Sequence, residues 1–143
     1  MTIRQVLVLL SAAAWCFGCS ESEKPTCFPV HGQVVYRGQP LAEALVVFHP
    51  LPQGAGETPK PIAYTDPQGH YQLTTWQTHD GAPPGEYKIT VELREARLVG
   101  EETIRDGRNL LPPQYGDWQQ TPLHYMVAPG ENEVPPLEIS DRP

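Results

Sequence analysis

Gly85-Glu86-Tyr87-Lys88-Ile89-Thr90-Val91-Glu92-Leu93 alternates polar and apolar residues without a break. Successive side chains of a β-strand point to opposite faces, so Tyr87, Ile89, Val91 and Leu93 share one face. Glu86, Lys88, Thr90 and Glu92 share the other. The rest of the chain is cut into short pieces by 17 prolines. Proline breaks helix interiors and sheet centres but suits loops and edges, which argues for short strands in a sandwich or barrel.

Upstream, Val30, Gly32, Val34 and Tyr36 alternate as a first strand, and Arg37-Gly38-Gln39-Pro40 reads as a turn. Residues 41–48 form a second strand with Ala44, Val46 and Phe48 on one face; Leu45 and Val47 are also apolar, so it is expected to be central. Residues 50–61 form a loop, residues 62–65 a short strand and residues 70–76 another, joined by the tight turn Asp66-Pro67-Gln68-Gly69. This is the clearest hairpin in the chain. Downstream, residues 94–109 are charged and ambiguous, either a helical turn over 96–104 or an extended hairpin. Residues 110–121 form a Pro-rich aromatic loop, 123–127 a strand, Pro129-Gly130-Glu131-Asn132 a turn and 134–139 the last strand. Pro135 and Pro136 place that strand on an edge. The expected total is seven strands.

Residues 1–5 carry one positive charge, Arg4, and the 13 residues 6–18 carry none, the layout of an export signal. As a helix this apolar segment spans roughly 20 Å, short of the ~30 Å hydrocarbon core. Ser20-Glu21-Ser22-Glu23-Lys24 then turns polar at once, so a membrane-spanning or buried core helix is the weaker reading. Gly18-Cys19 resembles the lipobox of bacterial lipoproteins, which implies cleavage before Cys19 and acylation of its thiol. Cys16 and Phe17 depart from the lipobox pattern, which leaves ordinary signal-peptidase cleavage open; Trp15 is too bulky for Cys16 to take the role. Two or more acyl chains suffice for stable anchoring. Ser20 resembles the signal for outer-membrane retention. The expected layout is a leader over 1–18, a tether over 19–27 and a domain over 28–140.

Without residues 1–18 the chain keeps 17 acidic residues against nine basic ones, a net charge of −8. That disfavours nucleic acid and anionic lipid surfaces, which want clustered Lys and Arg. With Cys16 removed and Cys19 acylated, Cys27 has no intrachain partner. It is either a tolerated thiol or one half of an intermolecular disulfide. An unacylated Cys19 would be free to pair with it.

Read together, Val30-x-Gly32-x-Val34-x-x-x-Gly38-x-Pro40-Leu41-x-x-Ala44-x-Val46-x-Phe48, Thr65-Asp66-x-x-Gly69-x-Tyr71-x-Leu73 and Pro84-Gly85-x-Tyr87-x-Ile89-x-Val91 resemble the carboxypeptidase regulatory-like (transthyretin-like) domains. More narrowly, the chain resembles small bacterial lipoproteins built from one such domain. Gly81-Ala82-Pro83-Pro84-Gly85, Pro112-Pro113-Gln114-Tyr115, Thr121-Pro122-Leu123 and Pro129-Gly130-Glu131-Asn132 extend it, so that it covers about residues 28–139. The resemblance implies an all-β, seven-stranded Greek-key β-sandwich. Gly32 would let a neighbouring ring approach closely, a scaffold role.

No nucleophile–base motif, zinc-protease motif, P-loop or Cys-x-x-Cys stands in the sequence, so no enzyme, cofactor or metal is expected. One transthyretin-like branch hydrolyses a purine breakdown product with a C-terminal Tyr-Arg-Gly-Ser that this chain lacks. His31, His49, His70, His79 and His124 show no short ligand spacing. His70 and His79 with Asp80 could converge on one rim to hold zinc or copper, against the plainer reading of surface histidines. Asp66 and Asp80 are weak calcium candidates, since Asp66 is explained by its turn. Trp76, Tyr115 and Trp118 lie at loops or strand ends, where they either stack on sugars or partners or cap the sandwich core. The expectation is a monomeric, noncatalytic, lipid-anchored envelope module for structure or protein interaction. The alternatives are a carbohydrate-binding surface protein using Trp76 and Trp118, and an envelope metal-binding protein.

Overall fold

The computed structural model describes residues 23–52 and 58–142; the leader and Cys19 lie outside the described residues. The chain is all-β. Its strands are β1 (Val30–Tyr36), β2 (Gln39–Pro40), β3 (Leu45–Leu51), β4 (Ile62–Tyr64), β5 (His70–Gln72), β6 (Gly85–Glu92), β7 (Arg94–Val99), β8 (Glu102–Asn109), β9 (His124–Val127), β10 (Asn132–Glu133) and β11 (Leu137–Ile139), with one 3-10 turn at Pro113–Gly116.

β1 is the spine of one sheet. Its first half lies between parallel β10 and antiparallel β5, its second half between parallel β11 and antiparallel β2. The other sheet runs β4-β3-β6-β9, antiparallel throughout, and β7 and β8 form a separate two-stranded hairpin. No sheet closes on itself, and the two larger ones face each other as in a sandwich.

The alternating residues do what their period demands. Tyr87, Ile89 and Val91 of β6 are buried, as are Ala44, Val46 and Phe48 around β3 and Val30 and Val34 of β1. Phe48 sits at the centre, with its ring centroid 5.7 Å from Tyr87 and 6.5 Å from Tyr71. Each buried Val, Ile or Phe among them contributes about 1.5–3 kcal/mol by leaving water. A Cβ on Gly32 would stand 2.6 Å from the Tyr71 hydroxyl, so this glycine makes room for the ring that packs across it.

There are eleven described strands where seven were expected. The last expected strand, residues 134–139, is cut back to β11 at Leu137–Ile139, because neither Pro135 nor Pro136 has an N–H for the ladder, and β10 forms before it where a turn was expected. Gln39–Pro40, expected as a turn, makes a two-residue strand on β1. The ambiguous stretch after β6 is a hairpin, β7–β8, turning at Gly100 and Glu101.

The remaining correction concerns the expected β4–β5 hairpin. Its turn forms: Asp66 Oδ1 accepts from the N–H groups of Gln68 and His70, both at 2.9 Å, and Gly69 N–H donates to Asp66 O at 2.8 Å. Its arms do not share a sheet. β4 pairs with β3 and β5 with β1, so the turn carries the chain from one layer of the sandwich to the other.

Candidate functional site

The parting of β4 and β5 builds the site. The two arms touch at two places. Ile62 and Thr74 exchange backbone bonds of 3.0 and 2.9 Å, and Asp66 N–H donates to His70 O at 2.9 Å. Midway between, the same register sets Tyr64 opposite Gln72, and there the strands do not pair. The gap is a cleft of about 630 Å³. Ile62 and Tyr64 form one wall, His70, Gln72 and Thr74 the other, and Ala63 and Tyr71 also line it.

Alternation around buried Ala63 turns Ile62 and Tyr64 outward; Tyr64 is 67% exposed. The bonds Leu73 N–H to Val30 O (3.0 Å) and Val34 N–H to Gly69 O (2.9 Å) commit that edge of the β5 segment to β1. The backbone groups of His70, Gln72 and Thr74 therefore face β4. His79 joins the rim because Thr74 Oγ1 accepts its N–H at 3.0 Å, with His79 in the left-handed region at φ 59°.

The polar groups nearby are held in their own turns. Asp80 accepts from the N–H groups of Thr75 (2.7 Å), Trp76 (3.0 Å) and Gln77 (3.0 Å). Burial would push its carboxyl up, but these backbone donors together hold it below the usual carboxylate range. His70 Nδ1 lies 3.9 Å from Asp66 Oδ2. His70 and His79 thus meet on one rim, while the Asp80 carboxylate serves the loop. Among the described residues no three metal-ligating groups converge. The Tyr71 hydroxyl is buried without a hydrogen-bond partner among the described residues, and burial raises its pKa.

The expected aromatic platform does not assemble. Tyr115 is buried, and its hydroxyl accepts Ser140 N–H at 3.1 Å, so it closes the core. Trp118 is half-buried. Trp76 is exposed, but Lys24 Nζ stands 5.1 Å from its ring centroid and covers one face. Cys27, half-buried near Thr75 and Asp80, has its thiol pushed up by burial; a hydrogen bond from Thr75 opposes the shift and the Asp80 charge adds to it. Tyr64 was missed in the sequence. The only signal was Ile62-x-Tyr64 flanking a small Ala63, which marks an outward apolar pair on a short strand.

No protein-family model matches the chain, and no curated protein matches it. Solved structures similar to it include a DUF3823 family protein from Parabacteroides merdae, 15% identical with a TM-score of 0.46 over 82% of this chain. A 9R-lipoxygenase from Cyanothece is 13% identical, with a TM-score of 0.43 over 84% of the chain. A putative carbohydrate binding protein from Pseudomonas aeruginosa is 15% identical, with a TM-score of 0.43 over 81% of the chain. The chain spans 47%, 18% and 90% of these three structures, respectively. No activity follows from likeness at this level.

Proposed function

We propose that this protein is a noncatalytic, lipid-anchored module of the cell envelope that recognises another envelope component at the β4–β5 cleft. In this reading residues 1–18 direct export, Cys19 is acylated, and the domain is a monomeric sandwich of the carboxypeptidase regulatory-like kind. The observation that carries it is the cleft itself. Exposed Tyr64 and Ile62 flank an opening whose ionisable groups, Asp66 above all, are tied into local turns. Such a site offers shape, an aromatic face and fixed hydrogen-bonding groups rather than a free nucleophile and base.

The start of the domain supports anchoring at this end. Lys24 rests on Trp76, and Cys27 lies beside the 75–80 loop that also carries His79. Cys27 follows Cys19 by eight residue steps. Extended, they reach at most about 28 Å, so an acylated Cys19 would keep the cleft near the membrane surface.

A carbohydrate ligand is the second reading, favoured by the exposed Tyr64 ring beside Gln72 and Thr74. It moves the aromatic contact from Trp76 and Trp118 to Tyr64. The test is photo-crosslinking in a bacterial envelope with p-benzoylphenylalanine at position 64, against position 138 as an exposed control. A discrete adduct from position 64 alone supports the cleft; equal labelling from both positions sinks it. Glycan binding lost in Tyr64→Ala and kept in Trp118→Ala would select the carbohydrate reading.

A further inference from the structure

Strands β3, β6 and β9, and the segment leading into β4, each place one basic residue at the same level of the β4-β3-β6-β9 sheet. His49 pairs with Lys88, and Lys88 with His124. Beyond Val47↔Ile62 the β3–β4 register continues, with Phe48 N–H donating to Pro61 O at 2.9 Å, which sets Lys60 opposite His49. Phe48, Pro61 and Ile89, the chain neighbours, are buried, so Lys60, His49 and Lys88 face outward, and His124 joins them as the partner of Lys88. With strands about 4.8 Å apart, the row Lys60–His49–Lys88–His124 is roughly 14 Å long.

Its charge runs against that of the chain, which is −7 overall. Arg37, Arg94, Arg97, Arg105 and Arg108 each have a carboxylate partner, whereas Lys60 and Lys88 have no ion pair among the described residues. The titratable groups sharing this face are Glu86, one step along β6 from Lys88, Glu92, held by Arg94 at 2.7 Å, and Tyr64 at the far edge. No acid stands in the row. His49 Nε2 lies 2.9 Å from Oγ1 of buried Thr90, and its Nδ1 is buried without a partner among the described residues, so the ring packs down onto the sheet between the two lysines. His124 Nδ1 donates to Pro122 O at 3.2 Å.

We infer that this row is a binding strip for a carboxylate-bearing polysaccharide laid across the strands, with its acid groups on Lys60 and Lys88. Lys60 and Lys88 stand two strand spacings apart, roughly 9.6 Å, a span for alternate rings of such a polymer and not for the about 6.6 Å repeat of alternate side chains in an extended peptide. Val47 and Ile62 on one side of the row, and Leu51 and Met126 on the other, offer apolar surface to the ring faces. The net negative charge of the domain does not forbid this, because charges beyond about 8 Å are screened at physiological salt. Two permanent cations fall short of the roughly 4–8 that an anionic lipid surface recruits. The inference goes beyond the cleft reading and does not depend on it.

Protonation of His49 adds a positive charge between the two lysines, so acid should strengthen the contact. Burial first, and the Lys60 charge second, hold His49 below the ordinary histidine range. A carboxylate on Lys60 offsets the second effect, so His49 should titrate higher in the complex.

The test is calorimetry of the full chain with polygalacturonate, with dextran and phosphatidylglycerol vesicles as comparators, plus NMR titration of the histidines. The expected result is binding to polygalacturonate and not to dextran, tighter at about pH 5.5 than at about pH 8 and weakened by salt. Lys60→Gln with Lys88→Gln should lose about tenfold or more in affinity, while the paired Arg variants keep it. Tyr64→Ala should bind normally, which separates this strip from the cleft. The inference is overturned by no binding in low salt, by unchanged binding in the folded Gln double variant, or by binding to vesicles in preference to polygalacturonate.

Discussion

Tyr64 and Gln72 face each other across the β4–β5 turn at the register where a ladder pair belongs, and they do not pair. Two bonded steps, at Ile62–Thr74 and Asp66–His70, hold the arms on either side of the gap. The amides of Tyr64 and Gln72 should therefore exchange with solvent much faster than those of Ile62 and Thr74. Residue-resolved hydrogen exchange measures this directly; equal protection at all four would mean the hairpin is closed and the cleft absent.

Gly81 is a stricter requirement than its loop position suggests. A Cβ there would fall 1.7 Å from Phe28 O, and its φ is +88°. Ala82 and Phe28 bond to each other at 2.9 and 3.0 Å beside it, so the backbone cannot yield. Gly81→Ala should cost about 3 kcal/mol or more, whereas Gly38→Ala, with a φ of +76° and open space around it, should cost about 1 kcal/mol. Urea unfolding of both variants checks the ranking.

Asp80 makes the 75–80 loop sensitive to acid. Its folded pKa lies below the ordinary 3.8, so its contribution is present above that value and fades as pH falls through the folded one. Asp80→Asn should lower the unfolding free energy near neutral pH by about 1–2 kcal/mol for the weakened backbone contacts. The gap between wild type and variant should then shrink below about pH 4. A constant gap across the titration would contradict the ionised cap.

Asn132 ties a turn that the sequence shows only as Pro-Gly-Glu-Asn. Its Nδ2 donates to Ala128 O at 2.9 Å and Gly130 O at 3.0 Å, and its Oδ1 accepts Ala128 N–H at 2.9 Å. The side chain is buried, so Asn132→Ala strands these backbone groups and should cost about 2–3 kcal/mol. Thermal unfolding within error of wild type would show that water replaces the side chain.

The parts of the fold legible in the sequence were those with a local cause. Period-2 alternation marked β6, and Asp66-Pro67-Gln68-Gly69 marked its turn from residue chemistry alone. Sheet membership of β4 and β5 was not legible, because it depends on β3 and β1, partners many residues away. The β7–β8 arm was ambiguous because its exposed, charged faces leave no apolar period to read. Tyr115 and Trp118 were grouped with Trp76 as aromatic loop residues, but burial is decided by the 3-10 turn folding onto β6, which no local pattern encodes. The basic row needed the registers of β3, β6 and β9 and of the segment before β4 before Lys60, His49, Lys88 and His124 became neighbours.

The anchoring half of the proposed function turns on acylation of Cys19. The direct measurement is intact mass of the C-terminally tagged chain from a fractionated diderm bacterium, wild type beside Cys19→Ala. The account predicts membrane-bound residues 19–143 carrying a lipid mass increment that the variant lacks. A soluble, unmodified wild-type product would contradict it.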